Sequence, residues 1–206
     1  GLTQNDLTPY QSSYEPDIDY SPSLFDLRHI FKASGVYNLP LRGNRLVRGW
    51  YTSAIFTAHS GLPLTVFAGS DGFGGSSVYN TFTGAIPSQP SLLASGVHTV
   101  GTGLNLFANP EAVLNSFRPV LPAQDHRHGR GALRGLPRWN LDWSIGKETN
   151  LTERMKFTLS FEFFNVFNHV LFADPKLDLR STTDFGALTS QLNTPRRLQV
   201  GARIDF

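Results

Sequence analysis

The side chains best equipped for chemistry form no working constellation. His126-Arg-His128 follows Asp125, and two imidazoles with a carboxylate can ligate zinc or iron. Their spacing matches no metal motif and glycines flank them, so a solvated basic turn is expected. Gly69-Ser-Asp-Gly-Phe-Gly-Gly75 invites comparison with a phosphate-cradling loop. It lacks the Lys-Ser/Thr that should follow and the strand–helix setting, so a loop tip is expected. Glu15, Asp17 and Asp19 could touch Ca²⁺, but no EF-hand pattern surrounds them. The sequence has no Gly-x-Ser-x-Gly elbow, no His-Glu-x-x-His and no Cys nucleophile. No enzyme, metal centre or cofactor is expected.

Composition narrows the class of scaffold. Charged residues make up 17% of the 206 residues, below the usual quarter. Aromatics reach 12%, including 16 Phe, while mean hydropathy is only −0.19. Abundant rings, few charges and mild hydropathy suit strands with one lipid face and one polar face. The net charge is +2 with no long basic run, so neither nucleic acid nor anionic lipid is indicated as a partner. Absence of Cys rules out disulfides and thiolate metal sites. No stretch approaches the roughly 20 apolar residues of a membrane-spanning helix. The start is polar, without a signal peptide, so a piece of a longer exported protein is expected.

The elements that must position any site repeat with a period of 2 rather than 3.6. Five stretches carry the alternation. In 30–39, Phe31, Ala33, Gly35, Tyr37 and Leu39 oppose Lys32, Ser34 and Asn38. In 49–60, Trp50, Thr52, Ala54, Phe56 and Ala58 oppose Tyr51, Ser53, Thr57 and His59, with Ile55 out of pattern. In 138–147, Trp139, Leu141, Trp143 and Ile145 alternate with Asn140, Asp142, Ser144 and Gly146. In 154–167, Met155, Phe157, Leu159, Phe161, Phe163 and Phe167 oppose Lys156, Thr158, Ser160 and Glu162. In 197–206, Leu198, Val200, Ala202, Ile204 and Phe206 alternate with Arg197, Gln199, Gly201, Arg203 and Asp205. A membrane-crossing strand needs roughly 9–11 residues, whereas strands of soluble proteins average about 5–6. The length favours a transmembrane barrel over a soluble sandwich.

Connections alternate too. Residues 40–48 and 147–153 are short links, whereas 61–137 and 168–195 are long. Outer-membrane barrels have short periplasmic turns and long extracellular loops. The chain end then lies in the periplasm, and residues 1–28 form an extracellular loop. The fold class is all-β: an antiparallel transmembrane β-barrel, incomplete, with five C-terminal strands spread over 29–206. Five strands cannot close a barrel, and bare edges in lipid cost several kcal/mol per unpaired group. Upstream strands are expected to complete it. Within 61–137, residues 64–67 and 98–106 could form short strands.

Several motifs resemble the C-terminal barrel of TonB-dependent outer-membrane receptors of the Oar-like branch. They are DLRHIFKASGVYNLP at 26–40, Gly49-Trp50, SGLPLTV at 60–66, LRGLPRWNLD at 133–142, LTER at 151–154, EFFNVFNH at 162–169 and PRRLQVGARIDF at 195–206. They run in the family's order from Asp26 to the end. The resemblance implies a barrel of about 22 strands around an N-terminal plug. It implies energy from the TonB complex through the absent N-terminal region, and import of a scarce nutrient such as a siderophore, cobalamin or glycan. Partners would be the N-terminal strands and plug of the same parent, the barrel assembly machinery and the lipid bilayer of a Gram-negative-type outer membrane.

Within that frame three residue sets stand out. Leu198, Val200, Ala202, Ile204 and terminal Phe206 look like the signal read by the assembly machinery, against the plainer reading of a lipid-facing strand end. Trp50, Tyr37 and Trp139 suit the aromatic girdles, with Trp139 near the outer boundary and the other two near the inner; Trp143 lies deeper. Lys32, Asp142, Glu162, Arg197, Arg203 and Asp205 should face the lumen, sparing about 2–4 kcal/mol for each mid-bilayer Lys or Arg. A cross-strand pair of Glu162 with Arg203 is plausible. Most of these charges are expected to be solvated or to pack on a plug. The Asn150-Leu-Thr152 sequon has no meaning in a bacterial periplasmic turn. A non-transporting barrel, acting as adhesin or structural surface protein, and a soluble β-sandwich are the alternatives.

Overall fold

A computed structural model describes residues 17, 20–67, 85–87, 93–119 and 131–206. In chain order its elements are β1 (Ile30–Asn38), β2 (Trp50–His59), β3 (Pro63–Leu64), β4 (Ala85–Pro87), β5 (His98–Val100), β6 (Gly103–Asn105), α1 (Pro110–Asn115), β7 (Phe117–Pro119), β8 (Leu133–Arg134), β9 (Arg138–Asn150), β10 (Lys156–Phe164) and β11 (Arg197–Asp205). They divide into two compact units.

One unit is an antiparallel sheet in the order β1-β2-β9-β10-β11. It comprises His29–His59, Arg138–Leu171 and Gln191–Phe206. All five alternating stretches are strands, with shifted ends. β9 is 13 residues long and runs on to Asn150, past the expected limit. β10 is shorter, at 9 residues, because the chain turns at Asn165. Asn165 and Asn168 both take φ of 52°, a left-handed conformation that Asn tolerates better than most side chains. Phe167 lies beyond the end of β10, and its ring lies 5.9 Å from that of Trp139, a residue of the apolar face.

Paired Cα positions share a face, so the register sorts the side chains. One face carries Phe31, Tyr37, Trp50, Phe56, Leu141, Trp143, Phe161, Phe163, Val200 and Ile204. The other carries Lys32, Ser53, Asp142, Ser144, Glu162 and Gln199. Ile55 lies on the polar face opposite Asp142 and Ser34, which accounts for its break in the pattern. Also on that face Tyr51 opposes Gly146. A Cβ on Gly146 would run into the Tyr51 ring, so the glycine makes room for the aromatic beside it. β1 and β11 are the edges; every residue of β1 is exposed. The sheet is not closed into a barrel.

The second unit comprises Gly1–Arg28, Ser60–Pro137 and Phe172–Ser190. Its described part holds three two-stranded ladders, β3-β8, β4-β7 and β5-β6. Of the expected 98–106, residues 98–105 form the hairpin β5-β6, while Phe67 bridges Asp178 in parallel and only Pro63 and Leu64 make a strand. α1 starts where Asn109 caps it: its Oδ1 accepts the Ala112 N–H at 3.0 Å. Pro110 at the first helical position has no N–H to satisfy. Leu64, Val66, Leu106, Phe107, Val113, Phe117, Leu133, Leu177, Phe185 and Leu188 form a buried core. Expected loops are thus packed around a hydrophobic centre.

Candidate functional site

The strands present three groups of side chains, and their geometry differs. On the apolar face a row of rings crosses one end of the sheet. Phe31 and Phe56 lie 6.0 Å apart, Phe56 and Trp139 6.4 Å, and Trp139 stacks on His169 at 4.2 Å with 17° between planes. The two Phe56 spacings lie within the range where ring pairs attract. Trp50 lies toward the other end, opposite Lys147. Its indole N–H donates to the Leu46 carbonyl at 3.1 Å, and Lys147 Nζ lies 5.1 Å from the ring centroid. Tyr37 is paired with Thr52 near that end and is exposed.

Trp143 sits between the two ends, where an indole N–H facing hydrocarbon needs a partner. Thr52 Oγ1 accepts that N–H at 2.7 Å and donates in turn to the Ser144 carbonyl at 2.9 Å. The relay satisfies two polar hydrogens without bringing water to the apolar face.

On the polar face the six singled-out charges share one side but do not converge. Lys32 opposes Thr57, and Glu162 opposes Ser144 and Gln199. Arg197 lies over the Phe164 ring at 5.7 Å. Glu162 does not pair with Arg203: the register sets Arg203 opposite Thr158, four positions along. Arg203 instead binds Asp205 on its own strand at 2.5 Å, because residues two apart project from the same face. Lys156 and Glu148 form a second pair at 2.5 Å.

Asp142 is occupied. Its Oδ1 accepts from Asn140 Nδ2 and from the Asn165 N–H, both at 2.9 Å. This ties β9 to the turn after β10. Asn165, buried, completes the knot: its Nδ2 donates to the His169 and Thr194 carbonyls at 2.9 and 3.2 Å, and its Oδ1 accepts the His169 N–H at 2.8 Å. Asn168 Oδ1 accepts the Arg196 N–H at 2.9 Å, just before β11. Asn193 Nδ2 reaches the same His169 carbonyl at 2.7 Å. Nothing in the strand alternation flags these asparagines; the signal was two Asn spaced by three in a Phe-rich stretch.

Replacing Asn165 by Ala should strand the His169 N–H and the Thr194 carbonyl, at about 1–3 kcal/mol for a buried unpaired group, while Asn193 still serves the His169 carbonyl. Asn165→Gly restores the left-handed backbone but not the amide. Urea unfolding of the refolded full-length barrel should show similar losses for both variants. A near-normal Gly variant would assign the effect to backbone strain instead.

In the other unit, Arg134 reaches Asp26, donating to its backbone carbonyl at 2.7 Å and pairing with its carboxylate. Asp178 binds Arg180 through two nitrogens at 3.0 and 3.3 Å. Partial burial pushes the Asp178 carboxyl up, but the hydrogen bonds and charge of Arg180 outweigh it and leave the pKa below the usual aspartate value. Asp125, His126, His128, Glu15, Asp19 and the glycines of 69–75 lie outside the described residues. Among the described residues no group of three His, Cys, Asp or Glu is placed to hold a metal ion.

Long antiparallel strands with a ring-rich face, a polar face, short turns at one end and long excursions at the other define the wall of a membrane-spanning β-barrel. The chain belongs to the outer membrane beta barrel domain family, whose family model matches residues 1–199. It is accordingly a protein of the outer membrane of a Gram-negative-type bacterium. No curated protein and no solved structure matches it.

Proposed function

We propose that the chain is the C-terminal wall of a TonB-dependent receptor of the Oar-like branch, importing a siderophore, cobalamin or glycan. The observation that carries this reading is the core of the second unit. The connections between strands are folded around Phe107 and Leu106, as a ligand-capturing device requires rigid support. The motifs running in receptor order from Asp26 to Phe206 support the branch. In this reading the polar face, with Lys32, Asp142, Glu162, Arg197, Arg203 and Asp205, meets the lumen and plug. The chain itself does no chemistry. The plug and remaining strands come from the same parent, and TonB acts through the N-terminal region. Phe206, fully exposed at the chain end, ends the strand that the assembly machinery reads.

Replacing 61–137 by a short Gly-Ser turn in the full-length receptor should leave outer-membrane levels intact. Uptake of the limiting nutrient should fall by at least tenfold. Unchanged uptake would count against ligand capture by this segment. Loss of surface attachment with normal uptake would favour the adhesin reading.

A further inference from the structure

The turn at residues 39–49, between β1 and β2, carries Arg42, Arg45 and Arg48 and no acidic residue. All three arginines are exposed, and none has an ion-pair partner among the described residues. The nearest carboxylate along the neighbouring strand, Glu148, is taken by Lys156 at 2.5 Å. The same turn exposes Leu41, Leu46 and Val47.

The turn is also held in shape. Asn44 Oδ1 accepts the Leu46 and Val47 N–H groups at 3.1 and 3.2 Å. Lys147 Nζ donates to the Arg45 and Arg48 carbonyls at 2.9 and 2.6 Å. Trp50 donates to the Leu46 carbonyl from the apolar face. Lys147 belongs to that apolar face as well, opposite Trp50 and Leu159. The turn is therefore fastened to the lipid-facing side of the sheet by an aromatic and a lysine, both residues that favour the membrane boundary.

We propose that this turn docks an anionic phospholipid of the leaflet at the short-turn end. The guanidiniums take the headgroup phosphate, and Leu41, Leu46 and Val47 meet the first carbons of its chains. Planar guanidinium forks suit phosphate oxygens in a bidentate manner. The exposed aliphatics favour a lipid over free phosphate, because a free anion would leave them in water. The sequence shows no basic run here: the three arginines recur at every third position, and it is the folded turn that sets them beside Trp50 and Lys147.

The test uses the full-length protein reconstituted into phosphatidylcholine vesicles containing spin-labelled phosphatidylglycerol or spin-labelled phosphatidylcholine. The wild type should hold phosphatidylglycerol about fivefold more strongly, the worth of roughly one arginine near an anionic surface. R42Q/R45Q/R48Q should lose that preference while keeping heat-modifiable migration, the sign of a folded barrel. Should the triple variant not fold, R45Q alone and a salt titration of the wild type should each weaken the preference by at least twofold. No preference in the wild type, as expected if an upstream turn of the parent covers this one, would overturn the proposal. So would a preference unchanged by the substitutions. Inorganic phosphate at millimolar concentration should not displace the lipid, and displacement would show an anion site rather than a lipid dock.

Discussion

Phe107→Ala should dismantle the cored unit while leaving the sheet in the membrane. Phe107 is wholly buried and stacks on Phe185 at 5.8 Å with 17° between planes. Its backbone N–H is held at 2.9 Å by Asn105 Oδ1, whose Nδ2 donates to the Phe185 carbonyl at 2.8 Å. The ring thus joins segments that meet only through side chains and a few bridges. Truncating a buried Phe costs about 3–5 kcal/mol, the lost transfer energy plus the cavity left behind. A domain's whole stability is about 5–15 kcal/mol, so a large share of the unit's margin would go. Limited proteolysis of intact cells should show cleavage within 61–137 at least tenfold faster than in the wild type. Outer-membrane levels and heat-modifiable migration should stay unchanged. If the barrel also fails to assemble, the two units do not fold separately. Phe107→Leu, which keeps most of the volume, should behave much more mildly.

Gly49→Ala should have the opposite selectivity, damaging the sheet. Gly49 holds φ at +81°, and a Cβ there would meet the Glu148 backbone carbonyl. The same residue accepts the Glu148 N–H at 2.8 Å, so it cannot move away without breaking the ladder where β2 meets β9. The left-handed conformation alone costs an L-residue about 1–2 kcal/mol, and forced overpacking adds about 1–3. The fraction of protein reaching the heat-modifiable state should fall several-fold. Two controls make the cause legible. Gly35→Ala meets no atom within 4 Å and should be silent. Gly146→Ala meets only the Tyr51 ring, which can rotate aside, and should fall between. Equal damage from all three would refute the steric account.

The strands were readable because each is long, alternates strictly and must satisfy two different surroundings. Tyr37, Trp50 and Trp139 fall on one face and Lys32, Asp142 and Glu162 on the other for that reason alone: a pleated strand sends successive side chains to opposite sides. The errors lie where the period stops. β10 ends at Phe164 because Asn165 takes a positive φ, so the strand stops short of the expected Phe167. The Glu162–Arg203 pairing failed because alternation fixes faces and leaves cross-strand register open. Between β10 and β11 the register comes from the 165–196 connection, where Asn168 holds the Arg196 N–H and Arg197 falls opposite Phe164.

Strand length, the apolar and polar faces, the ring-rich boundary residues and the alternation of short and long connections define the class of protein before any packing is known. Each is a local property, repeated every two residues or bounded by a turn. That Ser60–Pro137 and Phe172–Ser190 share a core emerges from the packing alone. Leu106, Phe185 and Leu133 have no common period, and the unit closes through contacts between distant segments, such as the Asn105 side chain on the Phe185 carbonyl and the Phe67 N–H on the Leu177 carbonyl. Burial of that kind is a property of the closed packing and is not carried by any one segment. The same holds for the arginine turn, whose spacing is visible in the chain but whose seat beside Trp50 and Lys147 exists only once β2 and β9 have paired.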